Sequence, residues 1–284
     1  MICERVPENY NWIIKSSYPS DETSIIKKQL EDTKEFILIK GKTDIVGIVG
    51  LKKEMKEKIY IYISVLAVAS IKNRSDTVLC LINKAKDLAK EMGFAEIYID
   101  EFREPYIEVL KQVGFKLINE YLIMSKSLSL IPSFQPKSLI MVNRIAGNTN
   151  AFVEAWNSII NSGTVDDFAD FPNITEEFLK KKVQKDHRLD PNGWFVAYDR
   201  KKPVGLIAVN KHGELGDIMV SKLYRRLGIG TALVHEAFKY LKSKGFKKAI
   251  LKARAENVGA LSFYQNLGFK IKAKEILMGA RTIK

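Results

Sequence analysis

From Gly228 onward the apolar residues Ile229, Leu233, Ala237, Phe238 and Leu241 recur at the spacing of one buried helix face, with Thr231, Glu236, Lys239 and Lys242 between them. The pattern predicts a helix that starts at or near Gly228. Just upstream, LGDIMV (Leu215 to Val220) is short, apolar and bounded by Gly213 and by the polar stretch SKLYRR, which is the pattern of a buried strand. The same reading of the second half, from Ser138, predicts a strand in SLIMVNRI, a helix in AFVEAWNSII, a loop, and a helix in TEEFLKKKV opened by Thr175, Glu176 and Glu177. Strands follow in GWFVAYD, PVGLIAVN and LGDIMV, then the basic turn with its helix and a strand in AILKA. A short helix stopped by Gly268 and a final strand pair around KIKAKEILMG complete the order.

The pattern repeats. KAKDLAKEMGFAEIYID (Lys84 to Asp100) and EAFKYLKSKGFKKAILKA (Glu236 to Ala253) each read as amphipathic helix, Gly-Phe turn and strand; YIEVLKQVGFKL and ALSFYQNLGFKI form a second such pair. The Gly-Phe steps lie 21 residues apart in the first half (Gly93, Gly114) and 23 in the second (Gly245, Gly268). Upstream, DIVGIVGL (Asp44 to Leu51) parallels KPVGLIAV (Lys202 to Val209). We read two copies of one α/β domain, residues 1–130 and 138–284, separated at the proline-containing IPSFQPKS.

Composition agrees with two globular domains: 284 residues, 46% hydrophobic and 28% charged. Cys3 and Cys80 are the only cysteines, so neither a disulfide framework nor zinc-ligand spacing is present, and no metal is expected. The amino terminus carries acids and polar breaks, and no apolar run approaches the length of a membrane span. A cytoplasmic protein without membrane contact is expected. The net charge of +13 is uneven: residues 1–140 hold 21 basic and 19 acidic side chains, the remainder 25 and 14. Such a field attracts a polyanionic cofactor. Nucleic-acid binding is the weaker inference, because the lysines are scattered and no aromatic-basic interleaving stands out.

The stretch YRRLGIG (Tyr224 to Gly230) places two arginines and two glycines where the helix begins. The first N–H groups of a helix lack intrahelical partners and the helix dipole is positive there, so such a turn can hold a phosphate. Gly228 and Gly230 let a ligand approach the backbone. A dinucleotide fingerprint would need a third glycine where Leu233 stands, and a Walker A loop would need Gly-Lys-Ser/Thr; neither is met. The pattern R-x-x-G-x-G, met by Arg225, Gly228 and Gly230, resembles that of the GNAT superfamily of acyl-CoA-dependent N-acyltransferases. ENVGALSFYQNLGFK (Glu256 to Lys270) resembles the next conserved region of that family.

The resemblance implies a mixed, centrally splayed sheet flanked by helices in each copy, with acyl-CoA entering the gap between the two central strands. It implies that acetyl-CoA is the co-substrate, held by backbone groups of Ile218, Met219 and Val220, by the turn Arg225, Arg226, Leu227, Gly228, Ile229, Gly230 and Thr231, and by Asn257. Tyr264 stands where the family places a tyrosine beside the thioester sulfur, and is expected to protonate the departing thiolate. The amine must first lose a proton. Glu214 is the first candidate base, with Asp217 and His212 as alternatives. Asp166, Asp167 and Asp170, with Phe168 and Phe171, form an acidic and aromatic cluster in an otherwise basic half and are the candidate acceptor-binding residues for a cationic amine.

Counting back from the Gly-Phe steps, Arg225 corresponds to Asn73, Gly228 to Asp76, Gly230 to Val78 and Tyr264 to Leu110. Asp76 reads as a helix cap whose carboxylate repels a pyrophosphate. The first copy is therefore expected to keep the fold without the cofactor site, and the chain to be a monomer resembling a dimer. The function expected is an acetyl-CoA-dependent N-acetyltransferase acting on a small-molecule or peptide amine. The alternatives are a CoA-binding sensor without turnover and a basic nucleic-acid-binding protein.

Overall fold

The computed structural model describes residues 2–3, 35–40, 45–55, 59–68, 74–101, 104–131, 140–162 and 172–282. Two compact units partition the chain: Met1–Tyr121 with Lys274–Lys284, and Leu122–Ala273. These divisions fall inside two strands, and not at the proline-containing segment around residues 131–138.

In the first unit the described elements are β1 (Ile2–Cys3), β2 (Glu35–Lys40), β3 (Ile45–Met55), β4 (Ile59–Val68), α1 (Arg74–Glu91), β5 (Glu96–Glu101), α2 (Glu104–Gln112) and the start of β6 (Lys116–Ser127). The second unit continues with the end of β6, then β7 (Met141–Arg144), α3 (Thr149–Asn161), α4 (Glu176–Lys185), β8 (Leu189–Asp199), β9 (Lys202–Asn210), β10 (Glu214–Val220), α5 (Ile229–Ser243), β11 (Lys248–Arg254) and α6 (Val258–Asn266). The expected final strand pair is one continuous strand, β12 (Lys270–Arg281). KIKAKEILMGAR holds no turn-forming pair that would fold it back.

Both units use one strand order. In the first, β1, β2, β3 and β4 are antiparallel neighbours, β4 runs parallel to β5, and β5 pairs antiparallel with the end of β12. In the second, β7, β8, β9 and β10 are antiparallel neighbours, β10 runs parallel to β11, and β6 follows β11. The last strand of each unit is thus supplied by the other half of the sequence. Burial follows the exchange: Met124 and Leu128 of the first half lie in the core formed with α5 and β11, and Met278 and Ala280 of the second half lie in the core formed with α1 and β5.

Local closures repeat as well. At all four Gly-Phe steps the glycine has φ between 82° and 88°, and the following phenylalanine amide reaches back five residues: Phe94 to Ala89, Phe115 to Leu110, Phe246 to Leu241 and Phe269 to Tyr264. This is a helix stop that needs a residue without a Cβ. A strand glycine lies under the first turns of each long helix. A Cβ on Gly47 would sit 2.9 Å from Thr77 and Leu81, and one on Gly205 3.1 Å from Ile229 and Leu233.

The second unit has helices on both faces of its sheet. Trp194, Val196, Leu206 and Ala208 face α3 and α4, while Phe195, Ala197, Ile207 and Val209 face α5, as strict alternation along buried strands requires. Asn157 locks the approach to α4, accepting from the Ile174 amide and donating to its carbonyl, both at 2.9 Å. Among the described residues no helix is long and apolar enough to cross a membrane.

Candidate active site at the opening between two strands

β10 and β11 pair only at Glu214 with Ile250 and Leu215 with Leu251. Beyond Leu215 the strands part, while β10 stays paired to β9 through Ile218, Met219 and Val220. The β10 edge from Gly216 to Val220 therefore lacks a ladder on its β11 side, and backbone donors and acceptors there face the opening. A bulge falls at the parting point, between Leu215 and Ile218. Bulges re-aim side chains and raise local twist, and this one carries Asp217.

The turn at the end of β10 is a short 3-10 segment, Lys222–Tyr224, followed by two left-handed positions, Arg226 at φ 65° and Gly228 at φ 82°. Gly228 is the N-cap of α5 and contributes no side chain to it. The first helical bond runs from the Ala232 amide to the Gly228 carbonyl, so the amides of Ile229, Gly230 and Thr231 head the helix as a positive terminus. Arg225 is exposed, and its Nε donates to the Val220 carbonyl at 3.3 Å, holding the guanidinium at the mouth of the opening. The Ile229 side chain is buried in the core, so only its backbone is available to a ligand. Leu227 is exposed.

Gly230 has a packing role in addition to an open approach. A Cβ there would lie 3.1 Å from Cζ of Phe263 and 3.8 Å from Val220, so its absence lets α6 pack against the start of α5 and the end of β10. Tyr264 follows Phe263 on α6 and is part-buried, its ring centroid 5.3 Å from that of Phe263. Asn257 caps α6, its Oδ1 accepting from the Ala260 amide at 3.0 Å.

The candidate bases are placed differently. Glu214 lies in the still-paired start of β10 and is held by Asn210, whose Nδ2 donates to it at 2.6 Å and whose Oδ1 accepts from its amide. His212 sits in the exposed β9–β10 turn. Asp217 lies past the last β10–β11 pair, and crowding by protein pushes its carboxyl above the ordinary aspartate range, with the positive Lys182 of α4 partly opposing the shift. Asp166, Asp167 and Asp170 lie outside the described residues.

Sequence reading missed the supports of the turn. Ser221 is 1% exposed; its amide donates to the Val204 carbonyl, and its hydroxyl lies 3.0 Å from that of Ser162 at the end of α3. The Tyr224 hydroxyl donates to Oδ2 of Asp199 at 2.8 Å. The one signal available was the tyrosine before the arginines.

A strand opening with a bulge at one end and a helix N-terminus at the other has the chemistry to hold an elongated ligand with an anionic end. The profile described as the acetyltransferase (GNAT) family matches residues 156–269. An uncharacterized N-acetyltransferase of Methanocaldococcus jannaschii is 32% identical over 158 residues, covering 46% of this chain and 69% of that protein. The chain belongs to the GNAT family of acetyltransferases, whose co-substrate is acetyl-CoA. Two solved structures share the fold. A GCN5-related N-acetyltransferase from Sphaerobacter thermophilus superposes with a TM-score of 0.75 at 16% identity, covering 99% of this chain and 96% of that one. A tandem GNAT protein from the clavulanic acid biosynthesis pathway superposes with 0.68 at 10%, covering 96% and 93%.

Proposed function

We propose that the second unit transfers an acetyl group from acetyl-CoA to a primary amine by direct attack, and that the first is a copy without a cofactor site. The parting of β10 from β11 just before a left-handed glycine and a helix N-terminus carries this reading. The Ile229, Gly230 and Thr231 amides, with Arg225 and Arg226, suit a pyrophosphate. The open edge of Ile218, Met219 and Val220 suits an amide-containing arm and a thioester carbonyl.

We assign the base to Asp217 in preference to Glu214. An amine is protonated at neutral pH, and a carboxylate whose pKa is raised accepts its proton more readily than an ordinary one. Glu214 sits below the opening and is occupied by Asn210. The ammonium first gives one proton to Asp217, directly or through water. The freed lone pair then forms the C–N bond as the C–S bond breaks, and the departing sulfur takes the Tyr264 proton. The nitrogen's second proton returns to the Tyr264 phenolate through water, and Asp217 releases its proton to solvent. Asp166, Asp167 and Asp170 are retained as the proposed attraction for a cationic acceptor.

Reading the first unit as a copy without a cofactor site rests on side chains. Val68 pairs with Gly47 as Val220 pairs with Gly205, which aligns Tyr62 with Glu214 and Val65 with Asp217. Neither replacement is a carboxylate. β4 and β5 also part after Ile63, yet Val65 to Val68 are all buried, whereas Ile218 to Val220 are part-exposed. Tyr106, at the position of Ala260, belongs to the cluster that holds Leu66 and Val68. Asp76 lies inside the first turn of α1; it is not the cap expected from the sequence. The helix begins at Arg74, through the stretch that corresponds to the phosphate turn.

Calorimetric titration of acetyl-CoA into the wild type and Arg225→Glu tests the reading, followed by an amine panel with thiol detection. One equivalent bound, lost on charge reversal, and thiol release with an amine are expected. Binding without release from any amine would make the protein a CoA sensor; no binding would remove the cofactor site.

A further inference from the structure

The phosphate turn is hydrogen-bonded to a carboxylate whose charge opposes the proposed ligand. Asp199, the last residue of β8, accepts a hydrogen bond from Tyr224 at 2.8 Å, and Tyr224 directly precedes Arg225. A fixed negative charge so near an anion site weakens anion binding by Coulomb repulsion, although water and salt reduce the effect. The cationic hairpin residues Arg200, Lys201 and Lys202 follow Asp199 in the chain, and the Lys202 ammonium sits 5.8 Å from the centroid of the Tyr224 ring.

The turn has reason to need such a support. Within three residues it adopts left-handed backbone at Arg226 and at Gly228. For arginine that conformation is disfavoured and persists only where neighbouring structure holds it. Two anchors fix the near side: the Ser221 amide on Val204 and the Ser221 hydroxyl beside Ser162. Tyr224 supplies the far side. Its amide closes the 3-10 turn on the Ser221 carbonyl at 2.8 Å, and its hydroxyl reaches the β8–β9 hairpin. Asp199 holds the phenol in its protonated, donating form by pushing its pKa up.

We propose that Asp199 and Tyr224 form a positioning pair that presets the phosphate turn for the CoA pyrophosphate, with Asp199 acting through its hydrogen bond and against its charge. This rests on the assignment of acetyl-CoA to the second unit. The two contributions of Asp199 have opposite signs, which makes them separable. Asp199→Asn keeps an acceptor for Tyr224 and removes the charge; Asp199→Ala removes both; Tyr224→Phe removes the bond and leaves the charge.

The test is acetyl-CoA calorimetry on these three variants and on the Asp199→Ala/Tyr224→Phe double variant, with thermal unfolding to verify folding. For a positioning pair, Asp199→Asn binds up to about threefold tighter, while Asp199→Ala and Tyr224→Phe each bind about fivefold or more weakly. The double variant is then no weaker than the weaker single one. If Asp199 acts only through its charge, Asn and Ala variants tighten alike and Tyr224→Phe does nothing, which overturns the proposal. Additive losses in the double variant also overturn it. If the wild type binds no acetyl-CoA, the underlying site assignment falls, and the pair's role falls with it. Wild-type binding with unchanged variants removes the pair alone.

Discussion

The backbone amide of Phe269 donates to the carbonyl of Tyr264 at 3.0 Å, and the two rings meet edge to face with centroids 6.0 Å apart. The helix stop and the core together therefore fix where the Tyr264 ring lies. In the first unit the same bond joins Phe115 to Leu110, so the closure is retained where the phenol is not. Tyr264→Phe preserves the ring contacts and the stop. It is expected to lower kcat by about 100-fold or more, the usual range for losing a general acid, with acetyl-CoA affinity unchanged. Steady-state rates beside calorimetry check it; a kcat equal to wild type would remove Tyr264 from the chemistry.

Asp217 gives a prediction in two directions. Because crowding raises its pKa in the folded state, the folded chain holds this proton more tightly than the unfolded chain. Stability consequently falls as pH rises from the ordinary aspartate value, about 4, through the raised value. Asp217→Asn should raise Tm at pH 7, with the gain vanishing near about pH 3, where both states are protonated. Activity should move the other way, by about 100-fold or more, and the acidic limb of the wild-type kcat/KM profile should disappear. Glu214→Gln should change kcat by less than about threefold, a bound set well below the usual general-base effect. The reverse ranking would return the base to Glu214.

Met124 tests the strand exchange. It is 0% exposed in the core of the second unit although it lies in the first half of the chain. Met124→Ala should cost about 2–4 kcal/mol in the urea transition followed by acetyl-CoA protection. Met278→Ala should instead destabilise the transition that acetyl-CoA does not protect. A fragment starting at residue 138 lacks Met124 and Leu128 and is expected not to hold the second unit's fold by circular dichroism; a cooperative, ligand-binding fragment would show that the borrowed strand is dispensable.

Gly228 and Gly230 should fail for different reasons. Gly228→Ala forces a side chain into φ 82°, at a cost of about 1–2 kcal/mol. Gly230→Ala keeps ordinary backbone but presses on Phe263 at 3.1 Å, displacing α6. Both should weaken acetyl-CoA binding in calorimetry, and only Gly230→Ala should also lower kcat at saturation, because Tyr264 rides on α6.

Along the chain, much was legible because it is local. The buried helix face from Ile229, the Gly-Phe stops, the Thr175 start and the strand patterns depend on backbone preference and periodicity over a few residues, and the observed elements lie within a few positions of them. The like patterns of the two halves were legible for the same reason, and the glycines under Thr77 and Ile229 lie beneath two helices in equivalent registers. What periodicity could not supply was pairing. KLINEYLIMSKS and KIKAKEILMGAR each follow their own half's helix stop, and nothing in either strand says which sheet it completes; the tertiary pairing and the burial of Met124 and Met278 decided that.

The candidate site divides along the same line. Its residue types, the arginines, glycines and tyrosine at their spacing, are properties of the sequence. The proposed choice of Asp217 over Glu214 is not, because it rests on where β10 leaves β11, and the Asp199 to Tyr224 bond joins residues 25 positions apart. Local sequence sets which backbone shapes are cheap. Which side chains meet, which carboxylate is crowded and which strand is lent to which core are set by contacts distant in the chain, and only the tertiary structure decides them.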